Sequence, residues 1–176
     1  VGSGLRWIVT VGGQTSALSS SVTAYAAPSI QKLVGAAVDS PILTDGGQRI
    51  VISGRNFGAT EDDFVARYGK TGNEFTANNA AGENSCKMTR PHEQVECVTI
   101  PGTGRNLTWS VIVGKQRSAN SVDRISYGQP VLHTITDIGG KHVSQPTQGN
   151  VRVILRGRNF GPSSLSQRVY KAYGLT

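Results

Sequence analysis

The pentapeptide Gly-Arg-Asn-Phe-Gly is spelled twice, at residues 54–58 and again at 157–161. Read backwards from each copy the agreement lengthens. "RIVISGRNFG" lies over "RVILRGRNFG", so Ile50 and Ile52 align with Val153 and Leu155. A second match, at an offset of 102, sets residues 4–30 over residues 106–132. Leu5, Trp7, Val9, Val11, Gln14, Ser16, Ala17, Tyr25 and Pro28 fall on Leu107, Trp109, Val111, Val113, Gln116, Ser118, Ala119, Tyr127 and Pro130 without a gap. Internal periodicity outranks any local motif in deciding an architecture. A period of about 100 residues is the size of one small β-sandwich. The chain therefore divides into residues 1–26, the C-terminal strands of a preceding unit; 27–127, a complete unit; and 128–176, the N-terminal part of a following unit. Neither partial unit has the strands to bury a core alone, so the intact protein is expected to continue in both directions.

The glycines of the pentapeptide do not form a phosphate loop. Such a loop needs wider glycine spacing, a Lys-Ser/Thr end and a helix behind it, and neither copy has them. Both copies instead end a strand at a corner. Gly54, Gly58, Gly157 and Gly161 are expected to adopt backbone angles closed to residues with a Cβ, and Asn56 and Asn159 tolerate the left-handed region. Phe57 and Phe160 are then placed to plug the end of a sandwich.

Short alternating runs rich in Gly, Ser, Thr and Val give an all-β architecture. In the segment 106–113, Leu107, Trp109, Val111 and Val113 share one face, while Thr108, Ser110 and Ile112 share the other. Residues 5–11 repeat the pattern, so Trp7 and Trp109 are both expected in cores, where burying an indole contributes most. Phe64 and Tyr68 mark a further strand. No run of 18 apolar residues occurs, so no membrane contact is expected within this segment. The excess of 18 Lys+Arg over 11 Asp+Glu, a net +7, permits an anionic partner. The cations are scattered, however, and no aromatic residues interleave with them as a single-strand platform requires. Glu61, Asp62 and Asp63 are adjacent rather than set across a cleft, which does not suit paired-carboxylate catalysis. They read as a solvated loop, with a weak calcium site as the alternative.

Cys86 and Cys97 flank "KMTRPHEQVE". A hairpin whose paired numbers sum to 183 sets Cys86 opposite Cys97, Lys87 opposite Glu96 and Met88 opposite Val95, with the sulfurs inward and an ion pair outward. Pro91 points to a turn wider than a primed two-residue one. A disulfide fits this register and implies an oxidising compartment. Reduced core thiols or half of a metal site remain the alternatives, though zinc needs closer spacing and further ligands: His92 sits in the turn, and His133 and His142 belong to the next unit. Asn106-Leu107-Thr108 is an N-glycosylation sequon at a strand start; the earlier copy has Gly4 there.

Taken together, "PSI", "TDGGQRIVISGRNFG", "ARYG" and "CKMTRPHEQVECVTIPGTGRNLTWSVIVGKQ" resemble the IPT/TIG family of Ig-like domains found in plexins, Rel-type transcription factors and large surface proteins. The cysteine pair followed by "TIPGTG" is the most specific part, and is similar to tandem arrays of fibrocystin-type and protist or algal surface proteins. The resemblance implies tandem immunoglobulin-like sandwiches without enzymatic activity or cofactor. It also implies a structural or adhesive segment at the cell surface, such as a surface filament or a ciliary or flagellar appendage. The expected partners are neighbouring units, other proteins or further copies, and a possible glycan, with no nucleic acid. Tyr25 and Pro28, like Tyr127 and Pro130, leave two residues between units, and proline stiffens the joint. Two readings compete: a Rel-type nucleic-acid-binding domain, which the charge permits, and a carbohydrate-binding module of a larger enzyme.

Overall fold

A computed structural model describes residues 2–78, 81–83, 86–141, 148 and 152–162. The chain is all-β. A small hairpin of β1 (Thr10–Val11) and β2 (Gln14–Thr15) comes first. The central body follows: β3 (Ser29–Val34), a four-residue helix α1 (Ala36–Asp39), β4 (Arg49–Arg55), β5 (Phe64–Gly69), β6 (Phe75–Thr76), β7 (Lys87–Arg90), β8 (Gln94–Val98), β9 (Thr108–Val113) and β10 (Gln116–Arg117). A last pair, β11 (Val131–Thr136) and β12 (Ile154–Arg158), ends the described strands.

The central body is a sandwich of two antiparallel four-stranded sheets, ordered β3-β4-β8-β7 and β10-β9-β5-β6. Period-two alternation turns Leu33, Ile50, Ile52, Val95 and Cys97 inward from the first sheet, and Phe64, Ala66, Tyr68, Trp109, Val111 and Val113 inward from the second. Tyr68 and Trp109 are direct cross-strand partners, their rings stacked at 4.5 Å. Such a pair contributes roughly 0.5–1.5 kcal/mol beyond its buried area.

The face of β9 that carries Thr108 and Ser110 is covered as well. Thr108 and Ser110 are buried because the β5–β6 connection folds over them. Ser110 Oγ donates to the Gly72 carbonyl at 2.8 Å, and Arg117 reaches the same carbonyl at 3.1 Å. Glu74 closes that connection by accepting from the Thr71 N–H and hydroxyl, at 2.9 and 2.8 Å.

Strand directions give the sandwich two distinct ends. At one lie the start of β3, the corner after β4, the β7–β8 turn and the Phe64–Val113 pair. At the other lie the Gly69–Thr108 pair, the residues after β8 and a parallel bridge between Ile42 and Tyr127. The chain enters the body at the first end and leaves at the second.

Candidate functional site at the ends of the sandwich

At the entry end, the pentapeptide is built around a ring and a carbonyl. Gly54 lies inside β4 with no positive φ, so the expected angular reason does not apply to it. Its reason is proximity: a methyl there would overlap the Ser29 carbonyl oxygen and the edge of the Phe57 ring. Asn56 then turns left-handed at φ 63° and Gly58 at φ 87°. That reversal carries Phe57 back beneath the strand, fully buried and edge-on to Phe64 at 5.5 Å. The Asn56 side chain donates Nδ2–H to the Ala27 carbonyl at 2.9 Å, tying the corner to the incoming chain. The β7–β8 turn closes over the corner: His92 N–H donates to the Gly58 carbonyl at 2.7 Å, and Phe57 N–H donates to the His92 carbonyl at 3.1 Å.

The second copy repeats this geometry. Asn159 has φ 60° and Gly161 φ 93°. Asn159 Nδ2–H donates to the Gln129 carbonyl at 2.9 Å. A methyl at Gly157 would overlap the Val131 carbonyl and the Phe160 ring. Even the register shift between Ile30 and Lys32 in the β3–β4 ladder recurs between Leu132 and Thr134 in β11–β12. Phe160 is nevertheless 40% exposed, where Phe57 is fully buried, and the position 103 beyond Phe64 lies outside the described residues. So do residues 163–176 generally, and His142.

The exit end is held by two phenols on one peptide. Tyr127 donates to the Ile100 carbonyl at 2.5 Å, the Ile100 N–H donates to the Tyr68 hydroxyl at 2.9 Å, and the two hydroxyls are 2.8 Å apart. Gly102 passes beneath the Tyr127 ring, where a Cβ would not fit. Burial pushes both phenols above their ordinary ionisation range, and for Tyr127 the neighbouring Tyr68 adds to the effect. The "TIPGTG" segment is thus the seat of Tyr127.

The N-terminal piece repeats the backbone bonding of β9–β10. Leu5 pairs with Thr23 as Leu107 pairs with Ile125. Trp7 N–H donates to Ser19 Oγ and Val9 N–H to Ser16 Oγ, as Trp109 does to Ser121 and Val111 to Ser118. These serines replace ladder partners where the chain veers from the sheet. Both hairpin turns, Gly12–Gly13 and Gly114–Lys115, have two positive φ values, the primed geometry that suits strand twist. Gln116 Nε2–H donates to the Tyr25 carbonyl at 3.2 Å, joining β10 to the chain that leads into β3.

A family model, the IPT/TIG domain, matches residues 37–127, just over half of the chain. The chain belongs to the IPT/TIG family. A search of curated proteins finds no match.

Within the IPT/TIG unit, Cys86 and Cys97 form a buried disulfide. Lys87 faces Glu96 and Met88 faces Val95, and a bulge then pairs Arg90 with Gln94 across a turn at Pro91–Glu93. The outward ion pair differs from expectation. Glu96 binds Arg49 on β4 at 2.6 Å, and no Lys87–Glu96 bridge occurs among the described residues, because β8 is flanked on both sides. Trp109 is fully buried, whereas Trp7 is 60% exposed. No strand among residues 2–26 supplies the counterpart of β5, whose Tyr68 covers Trp109. Among the described residues no three His, Cys, Asp or Glu side chains gather as metal ligands. Asp62 instead accepts from the Thr60 hydroxyl at 2.9 Å. Ser19 and Ser121 escaped sequence reading although they are identical at the same offset, since a lone serine carries no signal of its role.

Proposed function

We propose that this chain is a non-catalytic structural and adhesive segment of a larger extracellular or cell-surface protein, in which IPT/TIG units follow one another as a stiff rod. The observation that carries the reading is the asparagine tie, Asn56 to Ala27 and Asn159 to Gln129, formed in the same way at both junctions. An entry at one end and an exit at the other, joined through two residues and a proline, align successive units rather than folding them back. The Gln116–Tyr25 bond braces the same joint from the facing turn. The buried disulfide supports an oxidising compartment.

Small-angle scattering tests the rod. The wild-type chain should give an extended, rigid profile, and the Asn56→Ala, Asn159→Ala double variant a more flexible one. Indistinguishable profiles, or a wild type whose two tryptophan regions tumble independently by NMR relaxation, would remove the basis for it. A Rel-type nucleic-acid role predicts binding that weakens steeply with salt; titration with duplex DNA should show none.

A further inference from the structure

We infer that Asn106 carries an N-linked glycan, and that it is attached before the IPT/TIG unit folds. The residue sits at the exit end, exposed, in a left-handed turn at φ 56°. Its backbone N–H is taken by Ser126 Oγ at 3.0 Å. Among the described residues its side-chain amide has no hydrogen-bond partner, so a sugar on Nδ2 displaces nothing. Asn106-Leu107-Thr108 satisfies the acceptor triplet, and the disulfide 9 residues upstream at Cys97 suits the compartment where transfer occurs.

The left-handed backbone alone favours asparagine or glycine, as Gly4 at φ 68° shows in the preceding copy. That copy lacks both ends of the triplet: Gly4 stands at the place of Asn106, and Arg6 where the sequon has Thr108.

The rest of the triplet sets the timing. Leu107 and Thr108 are buried, and Thr108 pairs with Gly69 inside a sheet where β9 runs between β5 and β10. A transferase needs the triplet extended and accessible, so it acts on the nascent chain only. In the transfer, Asn106 Nδ2 bonds to the anomeric carbon of a polyprenyl-diphosphate oligosaccharide. The carbon–oxygen bond to the diphosphate breaks, the diphosphate leaves with the electron pair, and the amide gives up one proton.

The inference rests on the extracellular reading, and the test keeps the two apart. The full chain is fused to a secretion leader and expressed in animal cells, so that native location does not enter. The secreted protein should be heavier than its sequence mass, and peptide N-glycanase should remove the excess. Asn106→Gly, which keeps the left-handed turn, and Thr108→Val, which keeps the buried volume, should each abolish it. Thr108→Ser should retain it. Folded, oxidised protein from a bacterial host should accept no sugar from microsomes that glycosylate the nascent chain. Secreted wild type at sequence mass, or excess mass that survives Asn106→Gly, overturns the site; efficient transfer to folded protein overturns the timing. The location reading fails separately, if protein from its native source has Cys86 and Cys97 reduced.

Discussion

Gly54 and Trp109 show how a single position answers to atoms far away in the chain. With its φ ordinary, Gly54 is constrained only by the Ser29 carbonyl and the Phe57 ring packed where a Cβ would stand. Gly54→Ala must therefore expel the ring or push β3 aside, an overpacking cost of roughly 3 kcal/mol, measurable by urea denaturation. The indole N–H of Trp109 is buried and has no partner among the described residues. In the N-terminal copy, the Trp7 indole donates to Thr23 Oγ1 at 3.0 Å, and Ile125 stands at the matching place in the complete unit. An unsatisfied buried donor costs about 1–3 kcal/mol. Ile125→Thr should therefore be at least as stable as Ile125→Val, reversing the usual penalty for a hydroxyl in a core. A clearly less stable threonine variant would show that the indole gains nothing from it.

Among the elements, the β7–β8 hairpin was the most legible. Its register followed from two cysteines and the alternation around them, which are local facts. The bulge after Met88 was not legible, nor was the choice of Arg49 over Lys87 by Glu96, because both depend on how β4 lies alongside. The disulfide closes a short loop and contributes about 3 kcal/mol. The Cys86→Ala, Cys97→Ala double variant should lose about that much by thermal or chemical denaturation. In the wild type, thiol-blocking reagents should add nothing under non-reducing conditions.

The exit-end phenols set the alkaline limit of stability. Folded Tyr68 and Tyr127 hold their protons above the ordinary phenol value of 10.0, chiefly through burial. The unfolded chain releases those protons near that value, so their contribution is complete below it and declines as pH rises past it. Stability should thus fall more steeply above pH 10 in the wild type than in the Tyr68→Phe, Tyr127→Phe variant. Ultraviolet titration should show both phenolates appearing only with unfolding.

Over the whole molecule, order should be concentrated in the complete sandwich. Residues 5–23 and the described residues of 131–158 repeat its hydrogen bonds but hold few buried side chains, and protection follows burial. Amide exchange should be slowest in β4, β5, β8 and β9 and much faster in both flanking hairpins. Iodide should quench Trp7 in the native protein and reach Trp109 only on unfolding. Equal protection across the chain would mean that the flanks are covered by contacts not described above.

By itself the sequence determined the period, the all-β class, the alternating faces and the cysteine register, since each is written in the spacing of neighbouring residues. Only the tertiary structure decided why Gly54 is glycine, what Asn56 holds, which peptide the two phenols share, and why Trp7 is exposed while Trp109 is not. Those outcomes join residues tens of positions apart, or turn on whether a covering strand is present. No local pattern records such a contact, because its energy exists only once the two sheets have closed on each other.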